Sequence, residues 1–449
     1  MLAWLSMGGC AQIGMPTGGP KDTIPPALVT AVPKLLHTNF KGNRIVLTFN
    51  EYIVVDDAIK NVLVSPFPKL NPSVDFKLKT VTVKLKDTLL DNTTYSINFG
   101  NAIKDNNEGN PFQNFTYVFS TGNTIDSLTL KGAVVLAETG KKDSTLQALL
   151  YKDVDDTTVQ HRRPDYVARI NAEGFFEFVH LAPGNYKLYA LKDNDAGKTY
   201  NSPTEMFAFA DTIITVPDTV ASTTLYAYTA EKDVKKVTPA PALKNADKKL
   251  KYTPSAGGGS TQSLLSGLDV IFNRRLKTMD AAKIFLTDTL YKKIEGTSIS
   301  LDSTGKIISI QNKWTEGFNY RLLIDKEAVT DTLGEQLAKS DTIKFAAKNE
   351  SDYGNLLLRF SKLDTAKHVL LQFVKGEEIF KSVKLTGSRW SDKLFEPGEY
   401  ELRILYDDNN NGQWDPGDYS RKKQPEKAIT LDSKLTIKPN WENERDIKF

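Results

Sequence analysis

Apolar and polar residues alternate along this chain in short runs separated by turn formers. Ile45, Leu47 and Phe49 alternate with Val46 and Thr48, and comparable runs follow at 79–85, 95–99 and 115–119. Each run is rich in β-branched and aromatic residues, and Asn, Asp, Gly and Pro lie between them. A period of two over so few residues is the signature of a half-buried strand, and short strands at close spacing predict a β-sandwich. Helical spacing appears only briefly, near residues 57–60. From about residue 128 the pattern resumes at 147–151, 167–170, 175–179 and 186–191. Between the last two runs lies Leu181-Ala182-Pro183-Gly184-Asn185, a Pro-Gly reversal that closes a hairpin of a second, smaller sandwich.

The second half of the chain repeats the first. Leu47-Thr48-Phe49-Asn50-Glu51 returns as Val270-Ile271-Phe272-Asn273-Arg274, and Thr94-Tyr95-Ser96-Ile97-Asn98 as Asn319-Tyr320-Arg321-Leu322-Leu323. Ala102-Ile103-Lys104-Asp105 returns as Ala328-Val329-Thr330-Asp331, and Thr116-Tyr117-Val118-Phe119 as Thr342-Ile343-Lys344-Phe345. The offset stays between 223 and 226 residues across the four blocks. Pro183-Gly184-Asn185-Tyr186 then returns as Pro397-Gly398-Glu399-Tyr400, at an offset of 214. The expected architecture is therefore all-β, with tandem β-sandwich domains in a duplicated A-B-A′-B′ arrangement. A period this long is far beyond the ~20–50 residues of a solenoid repeat.

Composition narrows the class of function. The 58 basic and 55 acidic residues leave a net charge of only +3, and no helix or stripe concentrates the basic ones, so a nucleic-acid partner is not expected. No run of ~18 apolar residues marks a spanning helix. Between about residues 229 and 249 charge, Ala and Pro displace the aromatics, which reads as a solvated linker, with a basic patch for anionic lipid as the alternative.

The single cysteine, Cys10, follows a short apolar run that ends in Gly8-Gly9. This resembles the tail of a bacterial lipoprotein signal, in which the cysteine becomes the lipidated first residue, although the basic leader is missing and the apolar run is short. A start upstream of Met1 is expected on this reading, and a leader with an incidental thiol is the alternative. Residues 11–22, rich in Gly, Pro and Thr, follow as a tether.

One motif has metal-binding spacing. Counted from Asp407, oxygen-bearing residues fall at positions one, three, five, nine and twelve (Asp407, Asn409, Asn411, Asp415, Asp418), with Gly412 at six and the Gln413 carbonyl at seven. That is the ligand spacing of a calcium loop, in which hard oxygen donors at alternate positions close around one Ca²⁺. The flanking segment reads as a strand rather than a helix, and Asp418 stands where a longer bidentate Glu is usual. The competing reading is a turn in which Asn and Asp side chains bond their own backbone. Asp105-Asn106-Asn107-Glu108-Gly109 is a further acidic turn, better read as a hairpin connection. Catalytic residues are not expected: His37, His161, His180 and His368 are scattered, and there is neither a nucleophile elbow nor a phosphate loop. Tryptophans at 314, 390, 414 and 441 suit core plugging, with stacking on sugar rings as the alternative.

Asp22-Thr23-Ile24-Pro25-Pro26, Ile45-Val46-Leu47-Thr48-Phe49-Asn50-Glu51, Tyr95-Ser96-Ile97 and the Ile103-Lys104-Asp105 turn resemble the S-layer-protein type of bacterial Ig-like domain. With Cys10, the 16–22 tether and Trp441-Glu442, the chain resembles the Ig-like-domain envelope lipoproteins of Bacteroidota. The second and fourth domains are similar to prealbumin-like or carboxypeptidase-regulatory-like sandwiches through their Pro-Gly-x-Tyr turns. The resulting division is a truncated lipoprotein signal at 1–10, the tether at 11–22, an Ig-like domain at 23–122 and a prealbumin-like domain at 123–228. After the linker at 229–249 come a divergent Ig-like domain at 250–349 and a second prealbumin-like domain at 350–449. The resemblance implies a non-enzymatic outer membrane lipoprotein, facing the periplasm or the cell surface. It would be held to the membrane by its lipid anchor and act as a scaffold or spacer among envelope proteins. The alternative is an adhesin for surface glycans or protein ligands, stabilised by calcium.

Overall fold

The computed structural model describes residues 21–152, 155–217, 223–231, 249–257, 260–364 and 367–448. Cys10 and nearly all of the expected tether and linker lie outside these residues. The chain divides into two units, Met1–Lys232 with Pro416–Pro425, and Asp233–Asp415 with Glu426–Phe449.

Alternation builds the first domain. In Arg44–Phe49 the side chains of Ile45, Leu47 and Phe49 point inward, and in Thr80–Lys84 those of Val81 and Val83 do, all essentially inaccessible to water. Burying each such side chain contributes about 1.5–3 kcal/mol, so the polar-out, apolar-in phase of these strands is strongly fixed. They lie in a four-stranded sheet in the order Leu28–Val32, Arg44–Phe49, Thr80–Lys84, Ser73–Lys77. Facing it are the three strands Leu63–Ser65, Thr94–Gly100 and Phe115–Ser120, and a ribbon joins Ile53–Val55 to Ile103–Asp105. Phe49, Tyr95, Phe99, Tyr117 and Phe119 fill the space between the sheets. The brief helical signal near 57–60 corresponds to the single turn Ala58–Asn61.

The same plan is found in the second unit. Tyr252–Pro254, Leu268–Phe272, Ile307–Gln311 and Ser298–Leu301 form one sheet in that order; Ile284–Thr287, Asn319–Ile324 and Asp341–Ala346 form the other; Leu276–Met279 pairs with Val329–Asp331. Its core adds Trp314 to Phe272, Tyr320 and Phe345.

The other domain of the first unit runs Tyr166–Arg169, Gln147–Lys152, Gly184–Leu191, Met206–Phe209, Thr223–Thr229, Leu128–Leu136, Phe175–Leu181, with Ile214–Val216 also on Gly184–Leu191. Leu128–Leu136 pairs in parallel with Thr223–Thr229, the last strand of the domain in the chain, which requires the intervening strands as the crossover. The second unit repeats this too. Gly354–Ser361 pairs in parallel with Glu442–Lys448 and antiparallel with Arg389–Phe395, while Glu378–Leu385, Val369–Lys375, Gly398–Tyr406 and Lys427–Thr430 form the facing sheet.

The segment Pro416–Pro425 belongs to the first unit. Tyr419 lies among Tyr189, Phe207 and Phe209, with ring centroids 5.9, 5.1 and 5.1 Å away. Its hydroxyl meets that of Tyr189 at 2.9 Å and donates to the Asp156 carbonyl at 2.5 Å. Lys422 Nζ lies 3.8 Å over the buried Tyr419 ring and reaches the Asp156 carboxylate at 3.3 Å. Gln424 Nε2 donates to Phe209 O and to the Asp211 carboxylate.

Candidate functional site

Strand Gly398–Tyr406 ends at Asp407, whose backbone N–H still bonds His368 O at 2.9 Å, so the loop starts from a fixed sheet edge. Asp407 is 1% exposed. Its Oδ1 accepts the Asn411 N–H at 3.0 Å and its Oδ2 the Gly412 N–H at 2.8 Å. Asn409 Oδ1 accepts from Asn411 N, and Asn411 Oδ1 from Gln413 N at 2.8 Å. The amide groups of Asn409 and Asn411 both donate to Asp415 Oδ2. Asp407, Asn409, Asn411 and Asp415 are thus brought together through bonds internal to the turn, the pattern of the competing turn reading.

Asp418 is not part of this group. It belongs to the first unit and caps the short helix Tyr419–Arg421, accepting from Ser420 Oγ at 2.6 Å and Arg421 N at 3.3 Å. These bonds hold its carboxyl below the ordinary aspartate value, the Ser420 hydroxyl foremost. Gln413 enters the network through its main-chain N–H. Among the described residues, no group of three or more His, Cys, Asp or Glu side chains is arranged to hold a metal ion.

Glu426, which no sequence spacing singled out, organises the loop. It is 3% exposed; Oε1 accepts from Asp408 N at 2.9 Å and Oε2 from Asp415 N at 3.0 Å. Its carbonyl accepts the Trp414 indole N–H at 2.8 Å, seating that ring beside Leu370, Leu405 and Ala428. Burial pushes the Glu426 carboxyl above the usual glutamate value; the two backbone N–H bonds oppose this, and the charges of Asp415 and Asp407 add to it.

The remaining candidates are dispersed. His180 Nδ1 lies 2.8 Å from Asp126 O, and His161 closes the single-turn helix Thr158–His161. Trp314 is a core residue and Trp390 packs on Phe373 and Phe395, whereas Trp441 is 59% exposed beneath the Lys438 ammonium. No helix among the described residues is long and apolar enough to cross a membrane.

Solved structures that match in part include native alpha-2-macroglobulin from Escherichia coli spanning domains MG0-NIE-MG1, at 14% identity over 42% of this chain and 73% of that one, with a TM-score of 0.21. The N-terminal part of the bacterial S-layer protein SbsC matches at 17% identity over 46% of this chain and 45% of its own, with a TM-score of 0.17. BcpA, the major pilin subunit of Bacillus cereus, matches at 10% identity over 72% and 99%, with a TM-score of 0.16. TM-scores of this size mark no shared overall arrangement. None of the curated proteins matches the chain. A family model does match, and it falls on the stretch where the sequence resemblance is densest: residues 22–121 are matched by the bacterial Ig-like domain family.

Proposed function

We propose that the chain is a non-enzymatic envelope protein, tethered by lipid at Cys10 to the outer membrane, whose duplicated β-domains serve as scaffold or spacer for other envelope proteins. The observation that carries this reading is the repeated strand order of both domain types, joined to the bacterial Ig-like match over 22–121. Repeated sandwiches with saturated cores extend a chain and present surface, and they need no catalytic group to do so. Cell fractionation tests the anchor. The unaltered protein is expected in the membrane fraction and Cys10→Ala in the soluble one, and equal distribution of the two overturns lipid tethering. Cross-linking in intact envelopes tests the scaffold role, for which recovery of the protein alone is the contrary result.

A second reading, a ligand-binding adhesin stabilised by calcium, is favoured by the 407–415 loop. Asp407 and Asp415 would supply carboxylate oxygens and Asn409 and Asn411 amide oxygens, since each carboxylate retains lone pairs beyond those used in the turn. Calorimetry on the full chain is expected to show Ca²⁺ binding that Asp407→Ala abolishes. Binding that survives this substitution, or no binding at millimolar Ca²⁺, removes the loop from consideration.

A further inference from the structure

The first unit contains a cleft of about 930 Å³ between its two domains. Three cations and two carboxylates line it: Lys104, Lys131 and Arg169 against Asp56 and Glu177. Lys104 pairs with Asp56 at 2.8 Å and Lys131 with Glu177 at 3.1 Å, so these four charges cancel in two pairs. Arg169 is left over. Its guanidinium donates through Nη1 to Asn98 Oδ1 at 2.7 Å and through Nη2 to the Asn61 carbonyl, both neutral acceptors. Of five N–H groups, three have no protein acceptor among the described residues, and no described carboxylate lies within ion-pair distance.

The chain has made room for this arrangement. Gly100, at φ +52°, lies so close that a Cβ there would stand 2.9 Å from Arg169 Nη1. A half-buried guanidinium without a counter-charge is costly, and its desolvation draws the pKa below the ordinary arginine value. The missing element is an anion with two oxygens in a plane, which a guanidinium binds in a bidentate fork. Among the lining residues, Asn101, Asn114 and Asn171 offer amides that both donate to and accept from hydroxyls, and Phe175, 52% exposed with the Lys142 ammonium 5.9 Å over its ring, offers aromatic surface.

We propose that this cleft binds a uronic acid residue of an acidic glycan, its carboxylate on Arg169 and its ring face on Phe175. The site takes up the ligand-binding reading above but needs neither calcium nor the lipid anchor, so its failure leaves the tests of both untouched.

Calorimetry on the full chain with trigalacturonic acid, its methyl ester and a tripeptide with a free C-terminus decides the matter. The acid is expected to bind at least about tenfold more tightly than the ester, a margin of about 1.4 kcal/mol. Arg169→Gln should reduce the acid to the level of the ester, and Phe175→Ala should weaken both sugars without shifting the melting temperature. The acid–ester comparison uses the unaltered chain, so it stands even if Arg169→Gln disturbs the domain contact. Equal binding of acid and ester, absence of binding by the acid, or binding of the tripeptide alone overturns the proposal.

Discussion

Asp105 shows how a single side chain fixes a turn. It is 3% exposed, and its Oδ1 accepts from the backbone N–H groups of Asn107, Glu108 and Gly109 while Oδ2 accepts from Asn110. Burial pushes its pKa up, but the four bonds together outweigh this and leave the carboxyl below the ordinary aspartate value. A depressed carboxyl adds stability above its unfolded value of about 3.9, and that stability is lost as pH falls through the folded value. Asp105→Ala should destabilise the first unit by about 3 kcal/mol, since several charge-assisted bonds go at once. Urea unfolding of the substituted chain measures this, and an unchanged midpoint would contradict the account. The acidic turn at 105–109 was legible as a hairpin connection because Asp and Asn favour such bonds. Glu426 was not legible: it acts from eleven residues beyond Asp415, and only the return of the Lys427–Thr430 strand brings it there.

Among the elements, the Pro-Gly-x-Tyr corners were the clearest in the sequence, and both copies have the same geometry. Gly184 has φ +154° and Gly398 φ +152°, backbone that a side chain rarely adopts. Two residues on, Tyr186 donates its hydroxyl to Ala182 O at 2.7 Å, and Tyr400 to Glu396 O at 2.9 Å. The hydroxyl bonds back across the turn and locks it against the core, where burial raises the Tyr400 pKa to about 12. Tyr400→Phe keeps the ring and removes only this bond, so a loss of about 1 kcal/mol is expected in the second unit. Chemical denaturation followed by the fluorescence of Trp390, which packs on the same Phe373 and Phe395 rings as Tyr400, would detect it, and a gain in stability would refute the role. Alternation along single strands was legible for a related reason, since period two survives in any half-buried strand. The parallel pairs of 128–136 with 223–229 and of 354–361 with 442–448 were not, because partners some ninety residues apart leave no local mark.

For the molecule as a whole, the duplication has kept topology and changed charge. Arg274 of the second unit donates to the buried Asp331 carboxylate at 2.7 Å. At the corresponding place in the first unit stands Glu51, whose pKa burial raises, with Asp105, Asp22 and Glu108 adding. A raised carboxyl binds protons more readily in the fold, so its contribution falls as pH rises from about 4.3 through the folded value. Glu51→Arg should remove that decline and add up to about 1 kcal/mol at neutral pH by giving Asp105 the partner that Asp331 has. Melting temperatures from pH 4 to 8 test it, and a steeper decline in the substituted chain would be the contrary result. Arg169 belongs to this scale as well, because a lone arginine in a strand says nothing until another domain lies beside it.

The segment Pro416–Pro425, which completes the first unit from far along the chain, changes how this protein is to be dissected. A gene cut after residue 231 yields a first unit without its own last piece, with Tyr189, Phe207 and Phe209 stripped of the Tyr419 ring and the Asp156 carbonyl of its donor. Such a fragment would be sticky for want of ten residues, and its behaviour would be mistaken for that of the native surface. The natural limits for expression follow the folding units, and here those units do not follow the order of the codons.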